Sequence, residues 1–187
     1  MGLGMEFNDA CKSITNGDSR YDVKPEQRET KKIKKPEWKQ IIHAPILDQE
    51  IIHLKYGKPS MFWKYHNSNG EIVGFVCRFD LDDGTKQVLP YCYATNGNAN
   101  QWRWMGFISP RPLYNLHLFN ENPKASILIV EGEKTADAAQ LQLDPQKTIA
   151  TTWIGGANGI VNADFKPLHG RKLIFWPDHD TKQKYGE

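Results

Sequence analysis

Apolar positions follow two different rhythms along this chain. Between residues 60 and 93 they come in short segments broken by turn residues; after residue 126 they gather into continuous runs that end in acid. In the first region Met61–Tyr65 reads as a strand and Asn67–Gly70 as a turn, because Asn and Gly adopt positive φ at low cost. Glu71–Phe79 reads as the return strand, Asp82–Gly84 as a second turn, and Lys86–Leu89 as a third strand ending at Pro90. The pattern predicts an antiparallel meander. Residues 94–101 read as a polar loop, and Leu113–Phe119 as a short helix or irregular stretch. In the second region Ile127–Val130 runs into Glu131, and Leu173–Trp176 runs through Pro177 into Asp178 and Asp180. Each run predicts a buried strand. Between them lie a helix at about 134–143, stopped by Asp144 and Pro145, and a β-branched strand over 148–153. A tight loop over Gly155–Gly159 follows, then at most a short helix over 160–165. Strand–helix–strand units of this length imply parallel pairing with a right-handed crossover. The fold class expected is α/β, with parallel strands and crossover helices, preceded by a small antiparallel β-rich α+β region. The corresponding segments are 1–40, 41–124 and 125–187.

Composition changes this picture little. A chain of 187 residues makes one domain or two small ones, and a hydrophobic share of 39% is enough for a core. Net charge is only +2, but Arg20, Lys24, Arg28, Lys31, Lys32, Lys34, Lys35 and Lys39 crowd into one Pro-containing stretch. That stretch reads as a tail or linker, either a basic arm on a nucleic-acid enzyme or a merely solvated connector. A short helix is expected over 5–16. Cys11, Cys77 and Cys92 stand far apart without a CxxC pair, which excludes a zinc ribbon and suits free thiols in a reducing cytoplasm. The first residues lack a basic segment followed by a long apolar one, and no run approaches the ~18 apolar residues that span a bilayer. The expectation is a cytoplasmic protein with no membrane partner.

The candidate chemistry sits where the apolar runs end. A carboxylate just past a strand of an open α/β sheet lies at the edge where ligands bind. Asp178 and Asp180 are two positions apart, so they share one side if the chain stays extended beyond Pro177. With Glu131 from a neighbouring strand they form a hard-oxygen cluster suited to Mg²⁺, which takes few protein carboxylates and fills its shell with water and phosphate oxygens. Mn²⁺ is the other cation considered. His179 points the other way and is not counted as a ligand. Glu133 is explained as well by the dipole of the helix it begins, and Lys134 reads as either a phosphate contact or a solvated lysine. Gly155, Gly156 and Gly159 read either as letting the backbone approach a phosphate, with Asn158 beside them, or as simply turning the chain; without a Lys-Ser/Thr ending this is no P-loop. Trp63, Tyr65, Phe75, Trp102 and Trp104 can either stack bases or form a small β core.

Taken together, IVEGEKTADAA, TTWIGGANG and FWPDHD resemble the TOPRIM domain of phage- or plasmid-borne primase-like proteins. The stretch from Tyr65 to Gly70, Arg78–Asp80, Asp83–Lys86 and the WRW–PRPLY segment are similar to the region that precedes TOPRIM there. The resemblance covers residues 60–187. It implies a TOPRIM-like fold, Glu131 as general acid/base and as a metal-site acid, and Asp178 and Asp180 as Mg²⁺ ligands. It implies nucleotidyl transfer on a single-stranded DNA template, with nucleoside triphosphates as substrates and a replicative helicase or a C-terminal segment as partner. Lys134, Gly155, Gly156 and Asn158 are the nucleotide-binding candidates, and Trp102 and Trp104 the base-stacking ones. A TOPRIM fold continues with a further helix and strand, so the resemblance also implies a domain that is incomplete at its C-terminus. It leaves two alternatives: a catalytically incomplete DNA-binding or accessory module, and an Mg²⁺-dependent nuclease of the same class.

Overall fold

Two sheets organise the chain. The structure, a computed structural model, describes residues 37–178. The expected helix over 5–16, most of the basic segment, Cys11, His179 and Asp180 lie outside the described residues. The first sheet is antiparallel and contains β1 (Lys39–Gln40), β2 (Met61–His66), β3 (Ile72–Asp80), β4 (Lys86–Thr95) and β5 (Asn100–Trp104). β2, β3 and β4 form the meander. β5 lines the other side of β4, and β1 continues the β3 side opposite β4's last two residues.

β4 does not end at Pro90, as the sequence suggested, but runs on to Thr95. Pro90 pairs with Val76, and its carbonyl accepts from the Met105 amide at 3.2 Å. In an antiparallel strand a residue's N and O face the same side, so the missing N–H of Pro90 faces β5 beyond the last pair of that ladder, Tyr91 with Trp104. The proline therefore removes no ladder bond. The expected polar loop over 94–101 shrinks to a turn held by Asn96, whose side chain accepts from the Asn98 and Ala99 amides.

The second sheet is parallel, in the order β7 (Thr148–Thr151), β6 (Ser126–Ile129), β8 (Leu173–Phe175). Helix α2 (Glu133–Gln140) links β6 to β7. A short helix α1 (Leu116–Glu121) precedes β6, and a single turn α3 (Gly156–Gly159) follows β7. The α/β expectation holds at this level: a mixed fold with one antiparallel sheet, one small parallel sheet and few helices.

Period-two alternation sorts the core. Ile127, Ile129 and Ile149 face α1, where they meet Leu116 and Phe119. Leu128, Val130 and Ala150 face the other way, where they meet Ala136 of α2 and Trp63, Tyr65, Val73 and Val76 of the antiparallel sheet. The two sheets thus share a core. On the antiparallel sheet's outer side Phe75, Cys77, Phe79 and Tyr91 form a third cluster with Ile51. Trp63, Tyr65 and Phe75 are buried, so they belong to the core and are not base-stacking surfaces. Cys77 and Cys92 are free and buried, and burial pushes both thiols up to about 12.

One strand departs from expectation. β6 is buried, but β8, read as buried from its apolar run, exposes Phe175 and Trp176 by 68% and 67%. β8 pairs with β6 along one side only, and no described element covers its two faces. Apolar clefts of ≈ 490 and ≈ 370 Å³ flank it, the first bordered by Trp153 and Phe165, the second by Ala139 of α2 and by Leu143 just beyond it. No helix among the described residues is long and apolar enough to cross a membrane.

Candidate functional site

The parallel register fixes what meets at the sheet's carboxyl edge. Ile129 pairs with Thr151 on one side and Phe175 on the other. Two residues further on, Glu131 comes level with Trp153 and Pro177. The ladder continues past the strand ends: the Val130 amide donates to Thr151 O at 3.0 Å and the Trp176 amide to Ile129 O at 2.9 Å. The Asp178 amide then donates to Glu131 Oε1 in a long contact of 3.4 Å. Forty-seven positions apart in the chain, these two acids sit side by side at the ends of β6 and β8, both exposed.

An edge with two exposed carboxylates from adjacent strands fits Mg²⁺, which commonly takes one or two protein carboxylates and completes its shell with water and phosphate oxygens. Among the described residues no group of three or more His, Cys, Asp or Glu is placed to hold a metal ion. The third expected ligand, Asp180, lies outside them.

Behind this edge lies a second acidic pair that the sequence reading did not single out. Glu133 and Asp137 stand one helical turn apart on α2 and face the antiparallel sheet. The Tyr65 hydroxyl donates to Glu133 Oε1 at 2.8 Å. Asp137 accepts twice, from the Trp63 indole N–H at 2.9 Å and from the Tyr114 hydroxyl at 2.8 Å. Burial raises the Glu133 carboxyl above the usual range, and Asp137 adds to the rise. Burial likewise pushes the Tyr65 phenol well up, with Glu133 adding. The helix-dipole explanation of Glu133 is therefore incomplete, because the carboxylate is also an acceptor joining α2 to β2. Asp137 carried a signal: an acid at i+4 from Glu133 beside Ala136, on the stripe that faces the core.

The remaining candidates are scattered around the edge. Lys134 is exposed, and its charge helps hold the Asp80 carboxyl low, behind the Ser60 hydroxyl and the Arg78 guanidinium. Gly155 and Gly156 have φ of 92° and 55° and are exposed, as is Asn158; they form the turn into α3 at the end of β7. Gly159 is required for a different reason: a Cβ there would lie 1.8 Å from Ile154 O. Trp102 and Trp104 are half-buried members of the outer aromatic cluster, with ring centroids 5.5 and 4.6 Å from that of Tyr91.

No curated protein and no solved structure matches this chain. A family model described as a domain of unknown function, DUF6371, matches residues 21–179, which takes in the meander, the GGANG turn and the strand that leads to Asp178, and the chain belongs to that family.

Proposed function

We propose that this chain is a primase-like protein of the TOPRIM class that carries out Mg²⁺-dependent nucleotidyl transfer on a DNA template in phage, plasmid or prophage replication. The observation that supports this most is the meeting of Glu131 and Asp178 at the ends of adjacent parallel strands. When bound there, a divalent cation would neutralise phosphate charge and polarise the phosphoryl group. Glu131 and Asp178 would hold it, with Asp180 as the third acid. Glu131, exposed at the strand end, would take a proton from an attacking hydroxyl. The exposed Gly155–Gly156 turn and Asn158 lie at the neighbouring strand end, where they can receive the triphosphate of an incoming nucleotide. Single-stranded template, nucleoside triphosphates and a replicative helicase are the partners this reading calls for.

The test is a template-directed synthesis assay with labelled nucleoside triphosphates, single-stranded DNA and Mg²⁺. Short product should form with the wild type and be lost in Glu131→Gln and Asp178→Asn, both folded. Product that survives both substitutions would refute the reading. Cleavage of plasmid DNA without any nucleotide requirement would replace it with a nuclease. Template binding without turnover, unchanged by the substitutions, would leave an accessory binding module.

A further inference from the structure

Arg111 differs from the other described arginines. Arg78 pairs with Asp80 at 2.6 Å, Arg103 lies over the Trp38 ring at 4.1 Å, and Arg171 donates to the carbonyls of Phe119 and Asn122 at 2.7 and 3.1 Å. The Arg111 guanidinium makes no ion pair and no hydrogen bond among the described residues, and its Nε is buried without a partner. A buried donor left without an acceptor is destabilising, the more so when it is charged. An arginine fork in that state suits a planar or tetrahedral oxyanion that accepts two parallel N–H bonds.

Its surroundings point the same way. The backbone of Arg111 is held by one segment through both of its polar groups: its amide donates to Asn162 O and its carbonyl accepts from the Asp164 amide, each at 2.7 Å. The nearby Asp164 carboxylate is used elsewhere, accepting from the Lys166 amide at 3.1 Å. The guanidinium lies between two exposed glycines. A Cβ on Gly106 would stand 3.8 Å from Nη2, and one on Gly155 would stand 3.9 Å from Nη1. Glycine at both places keeps a side chain from standing beside either terminal nitrogen of the fork. Three residues past Arg111, the Tyr114 amide donates to Thr152 O, so this segment runs along the free side of β7. Arg111, the Gly155 turn, Glu131 and Asp178 therefore follow one another along the carboxyl edge.

We propose that Arg111, with the Gly155–Gly156 turn, forms a binding site for a phosphoryl oxyanion, supplied by a nucleoside triphosphate or by a nucleic-acid backbone. This deepens the nucleotidyl-transfer reading by naming the residue that would anchor phosphate, but the site binds anions without a metal and is testable apart from that reading. The experiment uses the full chain in EDTA. Inorganic pyrophosphate should shift the amide resonances of Gly155 and Gly156 and the Arg111 Nε–H resonance. ATP and a short oligothymidylate are then titrated into the wild type, Arg111→Gln, Arg111→Lys and Arg103→Gln. Arg111→Gln should weaken binding of at least one of the two by about tenfold or more, Arg111→Lys by less, and Arg103→Gln should bind as the wild type does. The ligand weakened identifies the source of the phosphoryl group. Because binding in EDTA involves no metal, failure of nucleotidyl transfer leaves this result standing. Pyrophosphate that leaves Gly155, Gly156 and Arg111 unshifted would overturn the site even if the variants fail to fold, and so would a folded Arg111→Gln that binds both ligands as tightly as the wild type.

Discussion

The indole N–H of Trp63 donates to Asp137 Oδ2 at 2.9 Å, tying β2 of one sheet to the helix that packs on the other. The Tyr114 hydroxyl takes the second oxygen at 2.8 Å, so one carboxylate satisfies two donors at once. Asp137→Ala would strand both donors, and each stranded group costs about 1–3 kcal/mol. The expected loss is about 2–4 kcal/mol. Asp137→Asn keeps one acceptor oxygen and should lose clearly less. Urea unfolding curves of the two variants check the order; an Ala variant as stable as the Asn variant would mean the carboxylate does not join the sheets.

Glu133 gives the opposite expectation for a conservative change. Its carboxyl is raised by burial first, so the folded state binds its proton more tightly than the unfolded chain does. The sign follows: its contribution is fully present below the ordinary value of 4.5 and is lost as pH rises through the raised value. Above that window the folded chain carries a half-buried charge at a cost. Glu133→Gln removes the charge and keeps an oxygen for the Tyr65 hydroxyl, so at pH 7 it should be at least as stable as the wild type. Its advantage should vanish by pH 4. A Gln variant clearly less stable than the wild type at pH 7 would contradict this.

Much of this architecture was legible because local chemistry and tertiary context agree. The turns at Asn67–Gly70 and Asp82–Gly84 carry the residues their backbone demands, and Gly70 and Gly84 do adopt positive φ. The two apolar runs pair in parallel with Glu131 and Asp178 at the same edge, as the strand-end argument required. What failed to show was set by partners distant in sequence. Pro90 looked like a strand end because a proline lacks a donor, and only the position of β5 shows that no donor was needed there. β8 looked buried because its residues are apolar, whereas burial depends on what covers them. Glu133 looked like an ordinary helix acid, and Asp137 drew no reading, until Tyr65, Trp63 and Tyr114 arrived from other elements. Arg111 lay inside a motif noticed only for its similarity, and its lack of a partner among the described residues is a property of three dimensions.

The three glycines of the GGANG turn should not behave alike. At Gly159 a Cβ would overlap Ile154 O at 1.8 Å, so Gly159→Ala must shift backbone and should cost about 1–3 kcal/mol. Gly156 has φ of 55° and open space around its would-be Cβ. Asn accepts that region better than other side chains. Gly156→Asn should therefore stay within about 1 kcal/mol of the wild type by thermal or urea unfolding. Equal losses at both positions would mean the turn does not hold this geometry.

His66 and His117 make stability depend on mild acid. Their ring centroids lie 4.5 Å apart at an edge, and both Nδ1 atoms are buried without partners among the described residues. Burial, then His117, then Lys64 lower His66 to about 4, and burial lowers His117 as well. Between about 4 and the ordinary 6.5 the unfolded chain binds more protons than the folded one, so stability rises with pH across that window and falls as acid is added. His66→Leu should flatten this slope while leaving stability at pH 7.5 much less changed. The comparison needs urea midpoints at several pH values from 4 to 7.5. A variant whose slope matches the wild type would assign the acid sensitivity to other groups.

Glu131 and Asp178 should matter to cations and hardly at all to folding. Both are exposed, and the contact between them is a long one to a backbone amide, so neither contributes a tightly held buried bond. Glu131→Gln keeps an oxygen that can accept from the Asp178 amide and loses only the charge. Surface substitutions of this kind fall within about 0.5 kcal/mol, and the urea midpoints of Glu131→Gln and Asp178→Asn should agree with the wild type on that scale. Divalent-cation affinity should respond differently, because removing one of few carboxylates from a hard-oxygen site weakens it by at least the 10–100-fold typical of losing even an outer partner. Mn²⁺ titration followed by electron paramagnetic resonance reports the bound fraction directly. Glu131→Gln and Asp178→Asn should each lose about tenfold or more in affinity, and the double variant should bind no better than either. Mn²⁺ that binds the double variant as tightly as the wild type would show that the ends of β6 and β8 do not hold the cation, and nucleotidyl transfer at this edge would fall with it.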